Sequence, residues 1–301
     1  MHIITSSHHV FSMDKQYPPV YIAQPKESLV FETLDALSNA ITSPEDQLAA
    51  LDWQQVNPAT GPVFVQGAKP GDILAVRIDS IELADQAVVC TFPESYPLSG
   101  KIDKLSHKIL PIVGEGAQQH LLFTKDDGEE LPLPLNKMIG VIGTAPAGEP
   151  VITGTPGPHG GNLDTIAITE GVTVYLPVAV EGALLSLGDL HAAMGDGEVS
   201  MTGAEVAGRV TVTLELLTTL QRPTPFIESE THFMTVASHQ SLETAVALAT
   251  ANMQTFLMDE YGFEQEEAAM FISLVGDVRI SQVVNPCKTV RVELPKERLG
   301  E

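Results

Sequence analysis

The stretch Gly61-Pro-Val-Phe-Val-Gln-Gly-Ala-Lys-Pro-Gly71 and, after Asp72, Ile73-Leu-Ala-Val-Arg-Ile-Asp-Ser-Ile81 decides the fold class. A β-rich run stops at a Pro70-Gly71 turn, and a second run follows in which polar and apolar residues partly alternate. Alternation with period two puts every second side chain on one face, as a half-buried strand requires. Val151-Ile-Thr153, Val172-Thr-Val-Tyr-Leu176 and Val210-Thr-Val-Thr-Leu-Glu-Leu216 read the same way. Gly (24) and Pro (21) are spread along the whole chain and supply the turns that many short strands need. The expectation is a mainly β protein.

Helix is expected only late. After Ser241, a natural N-cap, Leu242, Ala245, Val246, Ala249, Met253, Phe256 and Leu257 fall at helical spacing, and Gly262 is a natural stop. A second helix is expected over Glu264–Leu274, its first turn acidic to suit the helix dipole. The polar stretch 125–130 reads as a loop. At 301 residues the chain can bury a full core. It is divided here into two β-rich parts, 1–150 and 151–301, the second carrying the late helices.

Acidic residues outnumber basic ones by 39 to 16, for a formal charge of -23. That balance argues against nucleic acid, which is bound through clustered Lys and Arg, and against an anionic membrane surface. The N-terminal residues lack the basic start and apolar run of a signal peptide, and no apolar run is long enough to span a bilayer. Cys90 and Cys287 share no ligand spacing, so a reducing, cytoplasmic setting is expected.

Two segments concentrate polar and Gly residues beyond what a turn needs. In Gly157-Pro-His-Gly-Gly-Asn-Leu-Asp164, glycines can let backbone approach a ligand while His159, Asn162 and Asp164 offer ligand atoms. A tight turn capped by Asn162 and Asp164 explains the same residues. In Gly188-Asp-Leu-His-Ala-Ala-Met-Gly-Asp-Gly-Glu198, Asp189 and His191 are two apart and share a strand face. A carboxylate and an imidazole there can hold a divalent metal such as zinc. The Gly195-Asp196-Gly197 turn can return Glu198 to that face as a general base. A plain hairpin is the competing reading. Asn57 sits in a turn where it can face a pocket, and Glu32 and Asp35 read first as surface charge.

These segments, together with Asn57-Pro-Ala-Thr-Gly-Pro-Val-Phe-Val-Gln-Gly-Ala-Lys-Pro-Gly-Asp72, Phe31-Glu-Thr-Leu-Asp35 and Gly276-Asp-Val-Arg-Ile-Ser-Gln-Val-Val284, resemble the acetamidase/formamidase family in order and spacing. The resemblance implies a β-sandwich, a barrel-like part and a smaller α+β portion containing the C-terminal helices. It implies hydrolysis of formamide- or acetamide-like amides with a divalent metal, in a homo-oligomer such as a dimer; the Asp189–His191 pair makes zinc the first expectation, and the acidic surplus allows a second, calcium-like ion. On that reading Asp189, His191 and Asp35 hold the metal, and Glu198, with Asp164 in reserve, moves the proton. Asn57, His159, Gly160, Gly161 and Asn162 lie on the substrate side. Met194 stands where the family usually has Gln, which removes a polar group near the pocket. Two other readings fit the same residues: a metal-stabilised binding module without catalysis, and a hydrolase of a larger or cyclic amide.

Overall fold

A computed structural model describes residues 1–219 and 222–300. The quoted stretch forms the strands Ala59–Val65 and Ile73–Leu83, joined through the Pro70-Gly71 turn. Strand Gly208–Leu217 pairs with both Ile73–Leu83 and Ser28–Thr33. Its Val210, Val212 and Leu214 are buried while the residues between them are partly exposed, the expected alternation. Nine strands form this sheet, which runs from His2–Ile4 at one edge to Asp277–Gln282 at the other.

The second sheet has eleven strands and is branched: Ala59–Val65 pairs with Leu185–His191, His9–Val10 and Tyr21–Ala23. Its main path ends at Glu130–Pro134 and Gly160–Asn162, which do not pair with each other, so the barrel-like part is an open sheet among the described residues. Central strands Met138–Gly143 and Leu185–His191 are buried at every position. A strand covered on both faces shows no alternation. Side chains from both sheets, among them Phe31, Ile78 and Val212 from one and Ile139, Leu187 and Leu190 from the other, share one buried cluster. Both sheets draw strands from each half of the chain.

The two late helices are α1 (Leu242–Tyr261) and α2 (Gln265–Val275). Ser241 Oγ accepts from Thr244 N–H, and Gly262 ends α1 at φ 69°, a left-handed turn that glycine takes without strain. Glu264 caps α2 reciprocally with Glu267. The helices cover the strands His232–His239 and Lys288–Pro295 through Phe233, Phe256, Met253 and Val292. That packing fixes the far end of the nine-stranded sheet, whose last strand, Asp277–Gln282, reaches the turn carrying Glu198: Gly197 bridges to Gln282.

Candidate active site

His191 ends the strand Leu185–His191 and is fully buried. Its Nε2 lies 3.4 Å from Asp189 Oδ1 and 3.2 Å from Glu205 Oε2. One ligand atom each from Asp164, Asp189 and His191 fall within 4.8 Å of one another, and so do those of His191, Glu198 and Glu205. Four carboxylates thus surround one imidazole, all of them buried.

The convergence of Asp189 and His191 has a different backbone cause from plain alternation. Asp189 sits at φ 57°, Glu198 at 46° and Asp164 at 40°. Left-handed backbone costs a non-glycine residue roughly 1–3 kcal/mol and persists where the surroundings impose it. Opposite Asp189, Gly140 leaves the room this needs: a Cβ there would lie 2.5 Å from both Asp164 Oδ1 and Asp189 Oδ2. Gly203 does the same for His191, whose Nδ1 a Cβ at that position would strike.

Two of the carboxylates, Asp164 and Glu205, are held from one side and left open on the other. Asn285 Nδ2 donates to Asp164 Oδ2 at 2.6 Å and to the Asn162 carbonyl at 3.3 Å. Gly203 N–H donates to Glu205 Oε1 at 3.1 Å. Asp164 Oδ1, Asp189 Oδ1, Glu198 Oε2, Glu205 Oε2 and both ring nitrogens of His191 are buried without a hydrogen-bond partner. A buried anion without a partner is costly. Burial, with Asp189 close by, pushes Asp164 up to about 7 and Glu205 up to about 8. Burial and the Asp164 charge lift Glu198 well above the usual carboxylate range. Burial opposes charge on His191, but Glu205 and Asp189 outweigh it and raise the imidazole. Unpartnered oxygens and an imidazole aimed at one point are the donor set of a divalent cation, so the residues present fit a bound metal ion.

Beneath the cluster, Arg291 is 2% exposed and connects its two sides. Its guanidinium donates to both oxygens of Asp196, at 2.7 and 2.9 Å, in the turn that carries Glu198. The same group donates to Thr165 Oγ1 at 3.3 Å, next to Asp164, and to Ser281 Oγ at 3.1 Å.

The other expected residues spread around this centre. Asp35 is buried but outside both groups of converging ligand atoms; its Oδ1 accepts from the Leu37 and Asn39 N–H groups, and burial lifts it to about 6. Asn57 lies half-buried at φ 53°, its N–H donating to the Ala36 carbonyl. His159 is buried, which pushes its imidazole down to about 4, and its Nε2 has no partner. Asn162 Oδ1 is also buried and unpartnered. Gly160 and Gly161 pair with Gly143 and Ile142, and a Cβ on Gly161 would meet the Thr155 carbonyl at 2.5 Å. Their conformation is demanded by neighbouring backbone.

Glu205, Asn285, Arg291 and Gly140 were not singled out from the sequence. Glu205 offered one signal, a lone charge between Ala204 and Val206. The other three offered none.

Comparison with known proteins identifies the family. The model of the acetamidase/formamidase family matches residues 12–149 and 144–299. A solved acetamidase from Bacillus halodurans is 45% identical and superposes with a TM-score of 0.94 over 99% of this chain and 98% of its own. A predicted acetamidase/formamidase from Thermoanaerobacter tengcongensis is 42% identical with the same TM-score, over 99% and 97%. A formamidase from Methylophilus methylotrophus is 26% identical over 66% of this chain and 62% of its own length. The chain spans about three fifths of the length of the curated relatives it matches. The chain belongs to the acetamidase/formamidase family.

Proposed function

We propose that this protein hydrolyses small aliphatic amides, of the formamide and acetamide kind, to ammonia and the carboxylic acid. Support comes from membership of the family, from relatives named formamidase and acetamidase, and from solved neighbours described as acetamidases. The observation that carries the reading is the cluster of four buried carboxylates around His191 with unpartnered oxygens.

A divalent ion, zinc by its mixed nitrogen and oxygen donors, would be held by Asp189 and His191 with Glu205 or Asp164. When bound, it supplies Lewis acidity, polarising a carbonyl and lowering the pKa of water. Asp35 and a second, calcium-like ion belong to this proposal as outer contributors, for which the oxygen-rich surroundings speak. Glu198 takes a proton from the attacking water on its unpartnered Oε2 and returns it to the amide nitrogen. The C–O bond forms, the C–N bond breaks, and ammonia leaves. Burial lifts Glu198, so it can hold the proton between the two transfers. Asn285 keeps Asp164 turned toward the centre, where Asp164 can take over proton transfer. Asn162 Oδ1 is the acceptor we assign to the substrate N–H, with His159, Asn57 and the Gly160-Gly161 backbone around it.

No helix among the described residues is long and apolar enough to cross a membrane. We extend the proposal to a cytoplasmic homo-oligomer, a dimer, supported by the exposed Val278 and Ile280 on the edge strand Asp277–Gln282.

The test is ammonia release from formamide, acetamide, propionamide and urea, run beside elemental analysis of the same sample and repeated after chelation. Ammonia from an amide, lost with the metal and restored with it, is expected. Metal bound at full occupancy with no amide turned over would favour a binding module instead.

A further inference from the structure

A cleft of about 510 Å³ opens directly beside Glu198. One wall is the inner face of four consecutive antiparallel strands, Gln86–Thr91, Ser106–Val113, His120–Thr124 and Glu130–Pro134. This wall presents Val89, Leu110, Leu121, Phe123 and Leu133. Leu121 and Leu133 are direct partners across the hairpin, and Phe123 follows Leu121 at the next same-face position. The opposite wall is the segment from Ala193 to Ala204, where Met194 lines the space. Asn136 clamps Met194 by its backbone alone: Nδ2 donates to the Met194 carbonyl at 2.8 Å, and Oδ1 accepts from its N–H at 2.9 Å. The thioether is therefore free to serve the cleft.

Chemistry meets this apolar space on the same segment 193–204. Glu198 lines the cleft and is 6% exposed, and its unpartnered Oε2 is itself buried behind that lining. Gly203 also lines the cleft, and a Cβ there would strike the His191 ring. A formamide molecule has three heavy atoms and fills on the order of 100 Å³ if each takes about a water's share of liquid volume. Most of the cleft would then hold water against leucine and phenylalanine side chains. An apolar pocket of several hundred Å³ with a polar group at one end suits a ligand with a polar head and an apolar body.

We infer that the cleft is an acyl-binding pocket and that the preferred substrates are primary amides of longer aliphatic acids, with Met194 and the Leu121–Leu133 wall setting the chain length. This rests on the hydrolytic reading above and extends it to a substrate class. The amide head sits at Glu198, and the alkyl chain runs out between Met194 and the hairpin. The reaction is unchanged: water adds to the carbonyl carbon, the C–N bond breaks, and the proton passes to the departing ammonia.

The experiment uses the full metal-loaded chain and follows ammonia release from the saturated series formamide, acetamide, propionamide, butyramide and hexanamide. Each buried methylene is worth about 0.8 kcal/mol, so kcat/KM should rise roughly three- to fourfold per carbon until the cleft is full. Two variants address the walls. Leu133→Glu alters a residue that is 37% exposed, so the fold can tolerate the charge. Met194→Gln keeps the backbone bonds to Asn136 and adds polarity. In each, the ratio of kcat/KM for hexanamide to that for acetamide should fall about tenfold, with the circular dichroism spectrum confirming the fold. A profile that peaks at formamide or acetamide and declines with length overturns the acyl pocket and leaves the hydrolytic reading standing. A rising profile whose ratio neither variant moves also overturns it, because the chain then binds elsewhere. If no amide yields ammonia, both inferences fall together.

Discussion

Glu198 is buried, stands on left-handed backbone at φ 46°, and keeps one carboxylate oxygen without a partner. Burial raises its pKa, so it takes up and holds a proton readily. Glu198→Gln keeps the volume and removes the charge, so turnover should fall by about a hundred- to ten-thousand-fold while bound metal stays at the wild-type stoichiometry. Loss of metal in this variant would make Glu198 a ligand and pass its role to Asp164. His191 supplies the one nitrogen of the centre and touches Asp189 and Glu205. His191→Ala should therefore reduce bound metal to a small fraction of the wild-type content, and an unchanged content by elemental analysis would remove it from the ligand set. At this scale Asp189, His191, Glu198 and Asp164 were legible, because polar residues crowd between glycines where a turn needs fewer. Glu205 was not: it meets His191 through strand pairing, and nothing local in Ala204-Glu-Val206 announces that partner.

Secondary structure brings these residues together through elements distant in sequence. The turn 195–198 is anchored by Gly197 N–H donating to the Ser281 carbonyl and by Arg291 gripping Asp196. Because Arg291 also reaches Thr165, one guanidinium sets the spacing between Glu198 and Asp164. A planar two-pronged donor does this, and a flexible ammonium does not. Arg291→Met removes the buried donor to Thr165 and Ser281 along with the grip on the exposed Asp196, and should cost about 1–3 kcal/mol of stability, seen as a lower urea midpoint. Its kcat should drop more than its KM changes, because the turn shifts while the cleft walls stay. A variant that loses stability but keeps kcat per folded molecule would make Arg291 a packing residue only. The helices were readable from Ser241, Gly262 and their apolar spacing, to within a residue at α2. The strand Met138–Gly143 was not, since a strand buried on both faces shows neither alternation nor helical period. Its Gly140 makes room for two carboxylates, a role that only the assembled sheet reveals.

Across the whole molecule, the centre lies where the eleven-stranded sheet meets the last strand of the other, so its electrostatics act on the stability of the complete fold. Mainly β architecture followed from the turn residues and alternation, but the branch at Ala59–Val65 and the sharing of both sheets between the two halves depend on long-range pairing that no local pattern encodes. In the metal-free protein Asp164 titrates at about 7 and Glu205 at about 8, both raised chiefly by burial, against ordinary values near 4. A raised folded pKa means that the native state binds more protons than the unfolded chain between the two values. The stabilisation is therefore complete at low pH and is lost as pH rises through about 7 and 8. The His191 shift has the same sign. Metal acts in the opposite sense, because its ligands must be deprotonated to bind it, and saturation a hundredfold above Kd adds about 2.7 kcal/mol. Chelation should therefore lower the melting temperature by several degrees at pH 8 and by less at pH 6, and the chelated protein should melt higher at pH 6 than at pH 8. Differential scanning calorimetry of loaded and chelated samples at both pH values checks this. A chelated protein equally stable at the two would mean that the four carboxylates are compensated by something other than protons or metal, and the centre would lose its claim to be a cation site.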